Sequence, residues 1–311
     1  MTHPQGDDLD ETAGWIIALL AATVGASVLF LSLPVLDLWA ARLFANPDGN
    51  GFPLARAAVP LFFNEVIDTL AIVSALACLG GLAWTGFGGA RRTVFGLGAR
   101  AFAFLTASLA LGPGIVVNLI LKSEWGRARP RDIADFGGTQ TFSPPLLIAD
   151  QCERNCSFVS GDAALGFCML ALALVLPAPR RAFIVAAIGF GVFISLIRMV
   201  QGAHFLSDVI FAGLFVCLII LALKLLILEW GRPVGAVMAR RIIRLREEAT
   251  LAWHMVRPVA GEALTRLFRP MGLAPGGDLQ QSRQAAFSRL KTQGRGRLWL
   301  FFRSRPDHFG L

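Results

Sequence analysis

Charge is what this chain has least of. Of its 311 residues only 16% are Asp, Glu, Lys or Arg, while 55% are hydrophobic. A soluble protein of this length interleaves charged and apolar residues at helix or strand period. Here uninterrupted apolar runs reach the ~18–20 residues that cross a bilayer as a helix, which excludes an ordinary soluble globule. Histidine is equally scarce, with four in the chain. A zinc site takes three or four ligands of His, Cys or carboxylate; His3, His254 and His308 fall in the segments before the first and after the last apolar run, on the side expected to be cytoplasmic, so only His204 remains and no metal or other cofactor is expected. Basic residues are missing from the first 13 positions, which carry Asp7, Asp8, Asp10 and Glu11. A cleaved signal peptide opens on positive charge, so the first apolar run is expected to be retained. Tyr is absent and Arg outnumbers Lys, a compositional bias of GC-rich bacterial genomes that carries no chemistry.

What is present is membrane-spanning sequence. Six spans are read at about 14–33, 66–86, 101–121, 159–177, 182–201 and 205–228, giving an all-α, six-helix transmembrane bundle. The chain divides into an N-terminal segment 1–13, a membrane domain 14–229 and a basic C-terminal tail 230–311. From residue 230 onward there are 15 Lys and Arg against 5 Asp and Glu, a balance of +10 that exceeds the +8 of the whole chain. Such a tail beside a last span suits a cytoplasmic, anionic-lipid-facing segment better than nucleic acid. It patterns as basic amphipathic helices over 234–256 and 261–268, interrupted by Pro258 and Pro270. Arg91, Arg92 and Arg100 in one connection, and Arg180 and Arg181 in another, share the tail's side by parity. The positive-inside rule makes that side cytoplasmic, in the bacterial inner membrane.

The opposite face receives loop 34–65, loop 122–158 and the turn near 202–204. At some 35 residues, the middle loop far exceeds the ~12–15 of a structureless connection, which marks it as functional. Leu36, Leu38, Trp39, Leu43 and Phe44 give the first loop a short interfacial helix, expected to rest at the headgroups rather than to roof anything. Three residue clusters fall on this one face. Lys122, Arg127, Arg129 and Arg131 crowd the exit of the third span, where headgroup anchoring explains cations poorly on a non-cytoplasmic side; converging Lys and Arg suit a phosphate. Ser160, Gly161 and Asp162 open the fourth span. Ser is a common N-cap, yet a helix N-terminus also offers free amides and a positive dipole end to an anion. Arg198, His204 and Asp208 complete the set, with His204 and Asp208 four apart on one helical face, an arrangement in which a carboxylate orients an imidazole.

The spacing Lys122-x6-Arg129-Pro130, then Ser160-Gly161-Asp162, then Arg198-x5-His204-x3-Asp208 resembles the type 2 phosphatidic acid phosphatase superfamily of membrane lipid phosphatases. The resemblance covers roughly 60–228 and implies a metal-independent phosphoric monoester hydrolase. In it His204 is the nucleophile and Asp208 its orienting partner, while Lys122, Arg129, Arg198, Ser160 and Gly161 bind phosphate. The departure is Asp162, where the family carries a histidine that protonates the leaving group; Asp at its ordinary pKa of ~3.9 is a poor acid at neutral pH. Burial could raise that pKa, the leaving group could need little help, or the substitution could leave activity reduced or lost. The run Cys156-Ser-Phe-Val-Ser-Gly-Asp is similar to bacterial lipid A phosphatases, and with an anomeric leaving group it points to lipid A 1-phosphate at the periplasmic face. An undecaprenyl diphosphate phosphatase or a lipid phosphotransferase would use the same residues. A non-catalytic transporter would need a polar lining that the spans lack, with Asp68 and Asn118 its few candidates. A scaffold would depend on the tail. Cys152 and Cys156, in an oxidising periplasm, are expected to pair as a disulfide that braces the approach to Ser160.

Overall fold

In a computed structural model of the protein, residues 4–87, 92–176, 180–229, 241–251 and positions 235, 237 and 239 are described. Their regular structure is helical, with only two isolated bridges and no strand among them. In chain order the elements are α1 (Pro4–Ser32), α2 (Val35–Arg42), α3 (Ala58–Phe87), α4 (Ala99–Glu124), α5 (Gly161–Val175), α6 (Arg180–Val200) and α7 (Leu206–Leu228).

Helices α1, α3, α4, α6 and α7 are long and apolar enough to cross a bilayer. The fourth expected span is shorter than the sequence suggested. Helix α5 has 15 residues, about 22 Å at 1.5 Å per residue, against ~30 Å of hydrocarbon. Ser160 stops it at one end by capping and Leu176 leaves it in extended conformation at the other.

The outer surfaces of the long helices are studded with exposed Val24, Val28, Ile72 and Leu76. That is the correct arrangement in lipid, where apolar side chains gain nothing by turning inward and association relies on close packing. Two hydroxyls inside the first span bond along their own helix, Thr23 to the Leu19 carbonyl at 2.8 Å and Ser27 to the Thr23 carbonyl at 2.7 Å, which spares those donors from standing free in hydrocarbon.

The central contact is α5 against α6 and α7. A methyl built on Gly166 would lie 3.0 Å from the Gly191 Cα, and one on Gly191 would lie 2.4 Å from the Phe167 ring. Only small residues allow this approach. Around it Phe104, Val117, Phe158, Phe211, Val216 and Ile220 form a buried core. A second cluster of Phe52, Ala128, Ile133, Phe136 and Phe205 lies under the loops at one end of the helices.

At the other end Lys224 Nζ bonds Thr12 Oγ1 at 2.6 Å and stands 3.4 Å from Glu229, while Arg241 pairs with Asp10 at 3.6 Å. Val237 packs on Leu9 and Ala13, so the compact unit extends to Arg241; a second unit begins at Ile242, of which residues 242–251 are helical. The tail helix expected over 261–268 lies outside the described residues.

Candidate active site

The last turns of α4 deliver the first cluster. Ala110–Leu121 is wound as a π-helix with Pro113 inside it, and such wide turns gather at functional sites. Pro113 has no N–H to give, and its own carbonyl accepts from Asn118 Nδ2 at 2.8 Å. Asn118 Oδ1 and Lys122 Nζ are thereby aimed at the start of α5. A methyl on Gly161 would meet them at 2.6 and 2.9 Å, so glycine is required there by close approach rather than by dihedral angle. Gly161→Ala is expected to displace Lys122 and weaken binding of inorganic phosphate or vanadate by about 10²-fold, read by isothermal titration; a shift of ~1 Å at a positioning group has that weight. Asn118→Ala placed beside it should recover part of the loss.

Ser160 caps α5 by accepting from the Ala163 amide at 3.3 Å, and its own amide donates to the Asp208 carbonyl at 3.3 Å. Next to it Asp162 Oδ2 lies 2.9 Å from Arg198 Nε, and Arg198 Nη1 donates to Gln201 Oε1 at 2.8 Å. The charges of Asp162, Arg198 and Lys122 all reach Asp68 of α3. Asp68, a candidate for a transport lining in the sequence, is an exposed carboxylate of α3 within charge range of the cluster. Arg129 comes from the loop after α4, and its Nη2 donates to the Asn155 carbonyl at 2.7 Å. Burial, followed by the charges of Arg131 and Arg198, lowers its pKa to about 10, which still leaves it fully charged at neutral pH. Asn155 sits in a tight loop closed by the Cys152–Cys156 disulfide, Cα atoms 5.6 Å apart, and the Cys156 amide donates to the Lys122 carbonyl at 3.3 Å. Asn118, Lys122, Ser123, Glu153, Arg154 and Asn155 line an open cavity of about 530 Å³.

His204 lies between α6 and α7, 1% exposed. Its Nδ1 stands 2.8 Å from the Ser157 carbonyl, an acceptor that requires Nδ1 to carry the proton. Asp208 Oδ2 is 3.8 Å from Nδ1, too far for a hydrogen bond. The carbonyl, rather than the carboxylate, therefore sets the tautomer, and Asp208 acts on the ring by charge. Nε2 has no hydrogen-bond partner among the described residues. Burial pushes the imidazole pKa down to about 4, so the ring is neutral at pH 7 with a lone pair on Nε2.

Two expectations are corrected. Arg127 does not join the phosphate cradle. It is fully buried and turned the other way, with Nη2 2.8 Å from Asp37 and Nη1 paired with Asp208. Helix α2, which carries Asp37, is consequently anchored rather than resting free at the headgroups. Arg131 stays at the surface. Among the described residues no group of three or more His, Cys, Asp or Glu stands ready for a metal ion.

Residues 101–232, which include Lys122, Arg129, Ser160, Gly161, Asp162, Arg198, His204 and Asp208, match the PAP2 superfamily. Over that stretch the chain is similar to the members of that superfamily. It is 44% identical over 119 residues to a lipid A 4'-phosphatase of Francisella tularensis subsp. novicida, covering 38% of this chain and 54% of that one. A lipid A 4'-phosphatase of Rhizobium leguminosarum is 38% identical over 108 residues (34% and 46% of the two chains), and one of Rhizobium etli 39% over 121 residues (39% and 44%). The matched region thus spans about half the length of these curated relatives. No solved structure matches. The PAP2 region ends near the last span, and the basic tail lies beyond it.

Proposed function

We propose that this protein is a lipid A phosphatase, opening on the periplasmic face of the inner membrane and working through a phosphohistidine at His204. The observation that carries the reading is the imidazole itself: buried, neutral, its Nδ1 proton committed to the Ser157 carbonyl and its Nε2 free, beside Lys122, Arg129 and Arg198. A phosphate bound among those cations, the Gly161 amide and the Ser160 cap presents phosphorus to Nε2. Attack forms the N–P bond as the bond to the sugar oxygen breaks, and Asp208 stabilises the imidazolium that results. Water then cleaves the N–P bond and releases inorganic phosphate.

The 4'-position is favoured over the anomeric 1-phosphate because all three relatives carry 4'-phosphatase as their name. A 4'-oxygen leaves as a sugar hydroxyl and needs a proton, a role we give to Asp162 in its carboxylic-acid form, once bound phosphate has taken Arg198 from it; the attacking water of the second step returns that proton. The ion pair of Asp162 with Arg198 gives it a second role, orienting that guanidinium. The two roles separate by leaving group: Asp162→Asn should lose far more activity on lipid A than on an aryl phosphate if it is the acid, and equally on both if it only orients Arg198.

The deciding experiment uses detergent-purified protein in EDTA with bisphosphorylated lipid A, undecaprenyl diphosphate, phosphatidylglycerol phosphate and phosphatidic acid. Phosphate release is scored together with ³¹P assignment of the lipid A product. Loss of the 4'-phosphate supports the reading, loss of the 1-phosphate reverses the regiochemistry, and preference for another lipid replaces the substrate class. The pH profile is a separate check. With the folded imidazole near 4, kcat/KM should stay level from pH 7 to about 5 and fall only near 4, instead of at the ~6.5 of a free histidine. The same shift works against stability: between 6.5 and 4 the unfolded chain binds a proton that the folded one refuses, so the fold weakens as pH falls through that window.

A further inference from the structure

We infer that Asp37, on the short helix between the first two spans, is a positioning residue of the active site, acting through Arg127 and Ser207 on Asp208 and thereby on His204. It rests on the catalytic role proposed for His204, and it extends the site by an element some 170 residues away in sequence from the helix it holds.

The geometry is a closed set of directed bonds. Asp37 Oδ1 accepts from the Ser207 amide at 2.8 Å, and Oδ2 accepts from the Ser207 hydroxyl at 2.6 Å. That hydroxyl has one proton, which it gives to Asp37, so it receives Arg127 Nη1 on a lone pair at 2.9 Å. Arg127 Nη2 donates to Asp37, Nη1 also to Asp208, and Nε to the Ser143 carbonyl at 2.9 Å. The guanidinium stacks 4.4 Å from the Phe205 ring centroid. Asp208 Oδ2 in turn accepts from the Ser157 hydroxyl and, at 2.8 Å, from the Phe205 amide. Asp37, Arg127, Ser157, Ser207 and Asp208 are all fully buried.

The consequence lies at the N-terminus of α7. Ser207 and Asp208 belong to its first turn, and His204 immediately precedes it. The amides of that turn have no intrahelical acceptors. One is taken by Asp37, from a different helix, and another by Asp208 itself. Asp37 therefore fixes the helix end on which Asp208 and His204 are mounted, and Arg127 offsets the repulsion between two carboxylates brought to one helix terminus. Burial raises the Asp37 pKa despite Arg127, the mark of a carboxylate placed at a cost to stability. Helix α2 buries Asp37, Ala40 and Ala41 and packs Leu36 and Leu38 against the hydrophobic clusters, and its polar tie to the catalytic turn among the described residues is this carboxylate.

The test compares wild type, Asp37→Asn, Ser207→Ala and Trp39→Ala, the last an exposed residue of the same helix, with His204→Ala alongside. kcat and KM for lipid A are measured with EDTA, and ¹⁵N shifts of the His204 ring are recorded at neutral pH. Asp37→Asn is expected to lower kcat about 10–100-fold, the weight of partners that orient an imidazole at second hand, with KM within about threefold and Trp39→Ala unchanged. Its ring should keep the Nδ1–H tautomer that the Ser157 carbonyl holds, while the ¹⁵N shift of Nε2 moves as the Asp208 charge behind the ring is displaced. Ser207→Ala keeps both charges and should show a smaller loss, also in kcat; it carries the test if Asp37→Asn does not fold. Unchanged kcat and ring shifts in Asp37→Asn, or an equal loss in Trp39→Ala, would overturn the inference. Equal activity in wild type and His204→Ala would remove the phosphohistidine instead, and the ring shifts would then decide the role of Asp37 by themselves.

Discussion

His204→Ala is expected to release phosphate from lipid A at least about 10⁴-fold more slowly than the wild type, with substrate binding nearly intact. Removing the nucleophile of a covalent mechanism leaves only the binding and charge stabilisation of the surrounding groups. Here those groups are Lys122, Arg129 and Arg198, which none of the imidazole's own contacts hold in place: Arg129 leans on the Asn155 carbonyl and Arg198 on Gln201 and Asp162. The cradle should therefore persist when the ring is removed, so that the loss falls on kcat. A rapid quench of wild type with labelled lipid should trap acid-labile, base-stable phosphate on the protein, and His204→Ala should trap none. Asp208→Asn makes a useful contrast. Because the Ser157 carbonyl keeps the tautomer, that variant loses only the charge behind the imidazolium and should retain more activity than His204→Ala. Labelled phosphate trapped equally in both proteins would place the nucleophile elsewhere.

The one-face placement of the three clusters was legible because spans flip the chain at every crossing. Parity puts residues 122–162 and 198–208 at the same end whatever the exact span limits, and the structure brings Lys122 to Gly161 and Arg198 to Asp162. The shortness of α5 was legible only in part: Ser160 marks its start as a cap and Pro177 and Pro179 mark its end, yet the apolar stretch between them is close enough to span length to read as one. Arg127 was misplaced for a different reason. Its spacing beside Arg129 is local, whereas its partner Asp37 is 90 residues away, and no periodicity records such a contact. Helix α2 did carry a signal. Asp37, Ala40 and Ala41 fall at i, i+3 and i+4, and at a lipid interface a face of small and charged residues points inward while Trp39 and Leu43 point out. Reading that helix with the soluble convention of apolar faces inward reverses it.

Arg127→Met should destabilise the protein by about 3–5 kcal/mol at neutral pH, the typical result of removing one member of a buried charge set. The two carboxylates left behind, Asp37 and Asp208, would face each other with no cation between them. The pH dependence identifies the cause. Asp37 already titrates above the usual carboxylate range, chiefly through burial, with Arg127 pulling down and Asp208 pushing up. A raised carboxyl pKa means that the folded state holds its proton more tightly than the unfolded chain. Its contribution therefore favours folding more as pH falls and is lost as pH rises through the folded value. Without Arg127 that value rises further, so the difference in thermal midpoint between Arg127→Met and wild type should narrow from pH 8 to pH 5. Adding Asp37→Asn to Arg127→Met should recover stability by removing one stranded charge, although each substitution is costly alone. Arg127→Lys keeps the charge but cannot fork to Asp37, Ser207 and Asp208 together, and it should fall between the two. A midpoint difference that stays constant with pH would assign the loss to the guanidinium's packing on Phe205 rather than to the carboxylates it separates.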